Sequence, residues 1–202
     1  ARRKRLLLRS DQGVHCIAFS VDGKTLAISH GGTRLWDVAS GKHIQSPLDS
    51  FPAHCVGFSA DGKLVGTAAW WGARVWELQG HREVLSTPDS SFCLTFSPDG
   101  RTLATGGRDG TVSVWDIPSR TRVADLHGHT NWIWSLAFPP DGKTLASGGR
   151  DKTVRVWDLE RARDSDQVPV KGNLWSAVGP GGNWRTPVAF SRADSTALLA
   201  AA

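Results

Sequence analysis

The chain of 202 residues contains no methionine. It begins with Ala1, which reads as an internal piece of a longer product or as a chain trimmed at its start. No apolar run approaches the roughly 18 residues of a membrane span, and no signal peptide is visible at the start. No G-x-S-x-G nucleophile motif occurs. The segment Gly57–Lys63 opens like a phosphate loop, but Leu64 stands where Ser or Thr is required. No stretch sustains a helical period.

Cysteine is sparse. Cys16, Cys55 and Cys93 show no Cys-x-x-Cys spacing, which removes the common zinc and redox arrangements. Each precedes a Phe by three positions, where a fourth copy of the pattern has Ser135; such a position asks for a small, buried side chain. Three free thiols point to a reducing compartment, and hence to the cytoplasm.

Acidic residues are missing from the first nine positions, which hold Arg2, Arg3, Lys4, Arg5 and Arg9. That segment accounts for the whole net charge of +5, so the remainder is balanced and offers no basic face to nucleic acid. The basic cluster reads either as a localisation or anion-binding patch or as the solvated flank of a strand at Leu6–Leu8.

What the chain has in abundance is repetition. Ala18–Ala27, Gly57–Gly66, Thr95–Ala104 and Ala137–Ala146 align without gaps, and Ala189–Leu198 is a degraded fifth copy. Each full copy closes on a Trp followed by an acid: Trp36-Asp37, Trp76-Glu77, Trp115-Asp116 and Trp157-Asp158. A period near 40 residues describes a supersecondary unit that buries its faces on its neighbours. Asp22-Gly23, Asp61-Gly62, Asp99-Gly100 and Asp141-Gly142 are hairpin turns. Further turns follow, such as Gly106–Gly110 and Ser119-Arg120. Each unit therefore holds four short antiparallel strands, near 91–96, 102–106, 111–115 and 121–125 in the third. The units span 12–50, 51–87, 88–127 and 128–170. Residues 1–11 form the basic flank, and 171–202 a long Gly/Trp loop with a partial fifth unit.

The line Gly128–Asp158 resembles the WD40 repeat family closely, and the resemblance extends over about residues 6–202. It implies an all-β fold, a propeller of four-stranded blades around a channel, commonly seven. Four blades and half of a fifth then read as a fragment of a larger ring, completed by the rest of the propeller, with Leu6–Leu8 a candidate ring-closing strand. The resemblance also implies a buried relay, His129, Ser147, Asp151 and Trp157, complete in the fourth unit. The third unit keeps Thr105, Asp109 and Trp115 but has Thr87 in the histidine's place. The second has Gly66 and Trp70 for the Ser and Asp, and the first is two residues short in that turn.

Six of the ten tryptophans lie outside the Trp-acid pairs: Trp70, Trp71, Trp132, Trp134, Trp175 and Trp184. All map to turns or connections at one end of the strands. Exposed Trp is unusual, and Trp is enriched at binding hot spots; the other reading is rings packed into loops. Arg108 and Arg150 precede turn acids on the same rim. His15, His54 and Phe92 share one repeat position with Trp134. Two histidines without a third ligand do not make a metal site. The expectation is a non-catalytic scaffold without cofactor or metal, binding a protein or peptide on this rim, and neither nucleic acid nor membrane. One rival is a propeller that regulates or localises an attached enzyme such as a protein kinase or hydrolase. The other is a catalytic propeller.

Overall fold

We examined the chain as a computed structural model. It describes residues 13–160 throughout and, beyond them, the backbone of Trp175–Ser176, Val188–Phe190 and Leu198–Ala200. The expected strand Leu6–Leu8 and Trp184 lie outside the described residues.

The hairpin signals place strands where the repeat puts them. The first sheet is β1 (Cys16–Phe19), β2 (Thr25–Ser29), β3 (Thr33–Asp37) and β4 (His43–Ile44), in that order and antiparallel. The second is β5 (Cys55–Phe58), β6 (Leu64–Ala69), β7 (Gly72–Glu77) and β8 (Glu83–Ser86). The third is β9 (Ser91–Phe96), β10 (Thr102–Gly107), β11 (Val112–Asp116) and β12 (Thr121–Leu126). The fourth is β13 (Ile133–Ala137), β14 (Thr144–Gly149), β15 (Thr153–Asp158) and β16 (Trp175–Ser176), and β17 (Val188–Phe190) pairs with β18 (Leu198–Ala200). The outer strand of the fourth sheet thus falls beyond residue 170. Trp175 is a strand residue opposite Val154, not a connection residue.

The inner strands pack in series, β1 on β5, β5 on β9, β9 on β13 and β13 on β17. That is a propeller arrangement of successive sheets. Core forms at each seam. Trp76 lies with Leu35 and Phe51 of the preceding sheet, Trp115 with Val75 and Leu85, and Trp157 with Val112 and Leu126. These three repeat tryptophans therefore anchor their sheets to the one before. One face of β1 has no such cover: Ile17 is 60% and Phe19 59% exposed.

The hairpins at one end are latched by their own side chains. Ser20 Oγ donates to Asp22 at 2.7 Å and accepts from the Thr25 N–H at 2.9 Å, while Asp22 also accepts from the Lys24 N–H. Ser59 with Asp61 and Ser97 with Asp99 repeat this. In the fourth sheet Pro139 occupies the serine's place, leaving only the Lys143 N–H on Asp141.

At the opposite end, the connection entering each sheet crosses the turn of the preceding one. A Cβ on Gly72, whose φ is 121°, would sit 1.8 Å from the Thr87 carbonyl oxygen; one on Gly110 would sit 2.4 Å from that of His129. Only glycine permits that approach.

The cysteines line the seams. Cys16 Sγ lies 3.6 Å from the Val56 carbonyl, and Cys93 Sγ 3.5 Å from that of Ile133. The hydrogen bond with Cys16, together with burial, pushes the Cys55 thiol well above its ordinary range.

Candidate recognition surface

Two kinds of segment meet at the end opposite the latched hairpins: the residues leading into each inner strand, and the turns joining second to third strands. Backbone bonds tie them together, as from His15 N–H to Ser29 O, His54 N–H to Ala68 O, and Arg150 N–H to Trp132 O. The repeat therefore stacks one position per sheet along a single rim.

There the side chains form one contiguous aromatic cluster. Phe92 is its hub. Its ring stacks on Trp132 at 4.8 Å and 11°, stacks on His54 at 5.1 Å, and meets Trp70 edge-on at 4.8 Å and Trp134 at 5.6 Å. Trp132 also contacts Trp70 and Trp134, and His54 contacts Trp70 and His15. Arg108 lies over Trp132 at 4.6 Å and over Trp70 at 5.2 Å, and Arg150 over Trp132 at 5.1 Å. Both arginines are exposed. Aromatic pairs of this kind contribute about 0.5–1.5 kcal/mol each beyond burial. The cluster is thus a stiff platform with two guanidinium groups on its rim.

The structure brings together His15, His54, Trp70, Phe92, Arg108, Trp132, Trp134 and Arg150. Two residues depart from the expected role. Phe92, expected as a contact, is only 7% exposed and supports the platform from beneath. Trp71 points away from its neighbour Trp70 and packs edge-on against Phe51, which also carries Arg74 at 4.7 Å. Phe51 and Arg74 carried no repeat signal that could have marked them.

Beneath the rim the fourth sheet holds a hydrogen-bonded chain. The Trp157 indole N–H donates to Ser147 Oγ at 2.8 Å, Ser147 Oγ lies 2.7 Å from His129 Nε2, and His129 Nδ1 lies 2.9 Å from Asp151. Asp151 also accepts from the Thr130 and Thr153 N–H groups. Burial pushes the Asp151 carboxyl up, but these bonds from Thr153, Thr130 and His129 prevail and hold it below the ordinary carboxylate value. Burial pushes the His129 imidazole below its ordinary value against the pull of Asp151. The connectivity is that of a hydrolase triad, yet Ser147 is fully buried and its oxygen is held by Trp157. No substrate carbonyl can reach it.

Elsewhere the chain of bonds is broken. In the third sheet Trp115 Nε1 reaches Thr105 Oγ1 at 3.3 Å and no imidazole follows. In the second, strand register corrects the reading of Gly66 as the hydroxyl position: Val65 pairs with Trp76 as Leu145 does with Trp157, so Thr67 takes that place. Its hydroxyl finds no partner among the described residues. Gly66 instead lies under Phe96. The turn holding Trp70 is one residue shorter than in the fourth sheet, so Trp70 has no strict counterpart in Asp151. In the first sheet Ile28 stands at the hydroxyl position, and Trp36 Nε1 is buried without a partner among the described residues.

Among the described residues no group of three or more His, Cys, Asp or Glu side chains could hold a metal ion. Among the described residues no helix is long and apolar enough to cross a membrane.

Comparison with known proteins agrees with this geometry. The family model for the WD domain, G-beta repeat, matches residues 4–37, 72–116 and 120–158. Among similar proteins, the UBP9-binding protein bun62 of Schizosaccharomyces pombe is 46% identical over 41 residues, 20% of this chain and 8% of that protein. The probable serine/threonine-protein kinase PkwA of Thermomonospora curvata is 38% identical over 50 residues, 25% of this chain and 7% of that protein. These matches cover a small part of each relative.

Proposed function

The chain belongs to the WD40 repeat family, and on that premise we propose that it is a non-catalytic scaffold whose aromatic rim takes a protein or peptide partner. The observation that carries this reading is contiguity. Rings contributed by four successive sheets meet in one cluster, and Arg108 and Arg150 cover the same ring, Trp132. A large amphipathic surface of Trp and Arg matches the composition of binding hot spots. Guanidinium groups over indole suit a segment with acidic or aromatic side chains. The partner contacts are Trp70, Trp132, Trp134, Arg108 and Arg150, with His15 and His54 at the margin. Free thiols fit a cytoplasmic location, and the burial of Ser147 under Trp157 fits a structural rather than a catalytic use of that chain of bonds.

The test is selection of displayed peptides on the chain, followed by affinity measurement with Trp132→Ala and Arg108→Ala. Selected peptides should bind both variants at least tenfold more weakly. Peptides that bind these variants fully but lose Lys24→Ala and Lys63→Ala would place recognition on the opposite rim.

A second reading, a propeller that regulates or localises an attached enzyme, draws on the similarity to a probable kinase. The sequence flanking these residues in the full gene product separates the two: a catalytic domain there favours the second.

A further inference from the structure

The third sheet has no ring in the place of His129, and the nearest imidazole, that of His127, only reaches the Thr111 hydroxyl at 3.4 Å. In the fourth sheet the His129 imidazole is bounded by Ser147, Gly149, Asp151 and Thr153, with Arg155 nearby. The strand registers make Thr105, Gly107, Asp109, Thr111 and Ser113 the counterparts of those five. All five line a cavity of about 420 Å³, a size ordinary for small-ligand sites.

The reason the space is vacant lies in the connection leading into the sheet. Thr87 holds the backbone place of His129, since each carbonyl packs against the glycine of the preceding turn, Gly72 or Gly110. Its side chain is short, and its hydroxyl accepts from the Ala73 N–H at 2.8 Å, turned toward the second sheet. Pro88 follows, where Thr130 follows His129, and proline has no N–H to offer Asp109 as Thr130 offers one to Asp151. Asp109 is left with the Thr111 N–H and hydroxyl alone.

The arginines near it are committed elsewhere, and His127 meets Thr111 rather than Asp109 among the described residues. Arg122 is paired with Asp89 and Asp125, Ser113 donates to Asp125, and Arg108 lies over the tryptophans. Ser90 Oγ is buried on the cavity wall with no partner among the described residues. The cavity thus offers the Asp109 carboxylate at its exposed mouth and the Thr105 hydroxyl within, the counterparts of the Asp151 and Ser147 groups that His129 bridges.

We propose that this cavity is a binding site for an imidazole group, held by Asp109 and Thr105 in the geometry His129 adopts one sheet later. The group is either that of a small imidazole compound or the side chain of a partner's histidine. One ring nitrogen donates to Asp109, and the other meets the Thr105 hydroxyl.

The test uses the full chain and amide resonances. Millimolar imidazole should shift the Thr105, Asp109 and Thr111 amides saturably and leave those of Ser147, Asp151 and Thr153 in place. Thr87→His should supply the ring from within, raise the unfolding midpoint and abolish the response to imidazole. Asp109→Asn, which leaves the packing intact, should weaken the response even if Thr87→His does not fold. N-acetylhistidinamide separates the sources: shifts like those of imidazole indicate a partner's histidine, and none indicates a small compound only. Unshifted amides, an unchanged response in Asp109→Asn, or stronger shifts of the same amides with inorganic phosphate would overturn the proposal.

Discussion

Phe92 and Trp132 stack 4.8 Å apart and within 11° of parallel, although they belong to successive sheets. One ring is buried and the other stands at the rim. Because the two are joined face to face, substitutions at them should have different consequences.

Trp132→Ala should weaken partner binding by about 2 kcal/mol or more with little change in the melting temperature. Phe92→Ala removes the hub of the cluster from a buried position, and should cost about 3 kcal/mol of stability. Parallel calorimetry and affinity measurements check both. Equal loss of stability in the two variants would show that the ring of Trp132 serves packing.

The bonded chain in the fourth sheet makes Asp151 and Asp109 unequal. Asp151→Ala strands the His129 ring and the Thr130 and Thr153 N–H groups, and should cost about 1–3 kcal/mol. Asp109→Ala removes an acceptor only from the exposed side of its turn, and should cost less than about 1 kcal/mol. Denaturant midpoints measured side by side settle the order.

The same site gives stability a pH dependence with a definite sign. His129 has a lowered value in the folded state, so as pH falls below about 6.5 the unfolded chain takes up a proton that the folded chain does not. Stability should fall from pH 7.5 to 5.5, and His129→Gln should flatten that slope. The lowered Asp151 acts further down: its contribution is complete above the ordinary Asp value and is lost as pH drops through the folded one. Urea titrations carried from pH 7.5 to below the ordinary Asp value separate the two windows.

Gly72→Ala should be among the most damaging single-methyl additions. Its φ of 121° and the 1.8 Å approach of the Thr87 carbonyl leave no room, so the cost should reach at least about 2 kcal/mol. Gly80, with φ 79° but open space around it, should cost about 1 kcal/mol.

Ile17 and Phe19 present an apolar strand face to solvent, which favours self-association. The chain should show concentration-dependent light scattering, and Ile17→Lys with Phe19→Lys should suppress it. Unchanged scattering would locate association elsewhere.

The strands of the third unit were legible because Asp-Gly and Trp-acid pairs bracket each strand. The gathering of His54, Phe92 and Trp134 was legible because they hold one repeat position. The divergence of Trp71 from Trp70 was not, since a turn one residue short sends consecutive side chains to different neighbours. Nor was the burial of Phe92: the repeat fixes which rim a residue occupies, but depth depends on rings from sheets on either side. Gly66 was misplaced by counting back from Trp76 across that shortened turn, whereas the ladder fixes Thr67. The strand position of Trp175 is not legible because the segment before β16 is charged and irregular, Gly-rich sequence follows it, and two strand residues are too few to show alternation.

The cysteines at the seams give the molecule a clock. Cys16 and Cys93 touch carbonyl groups of the next sheet, and the Cys55 thiol resists ionisation where it lies. A thiol in that state scarcely reacts until neighbouring sheets part and water enters. For Cys93, the buried one of the three, the rate at which an alkylating reagent consumes it therefore measures how often the seam between the third and fourth sheets opens, with no label added.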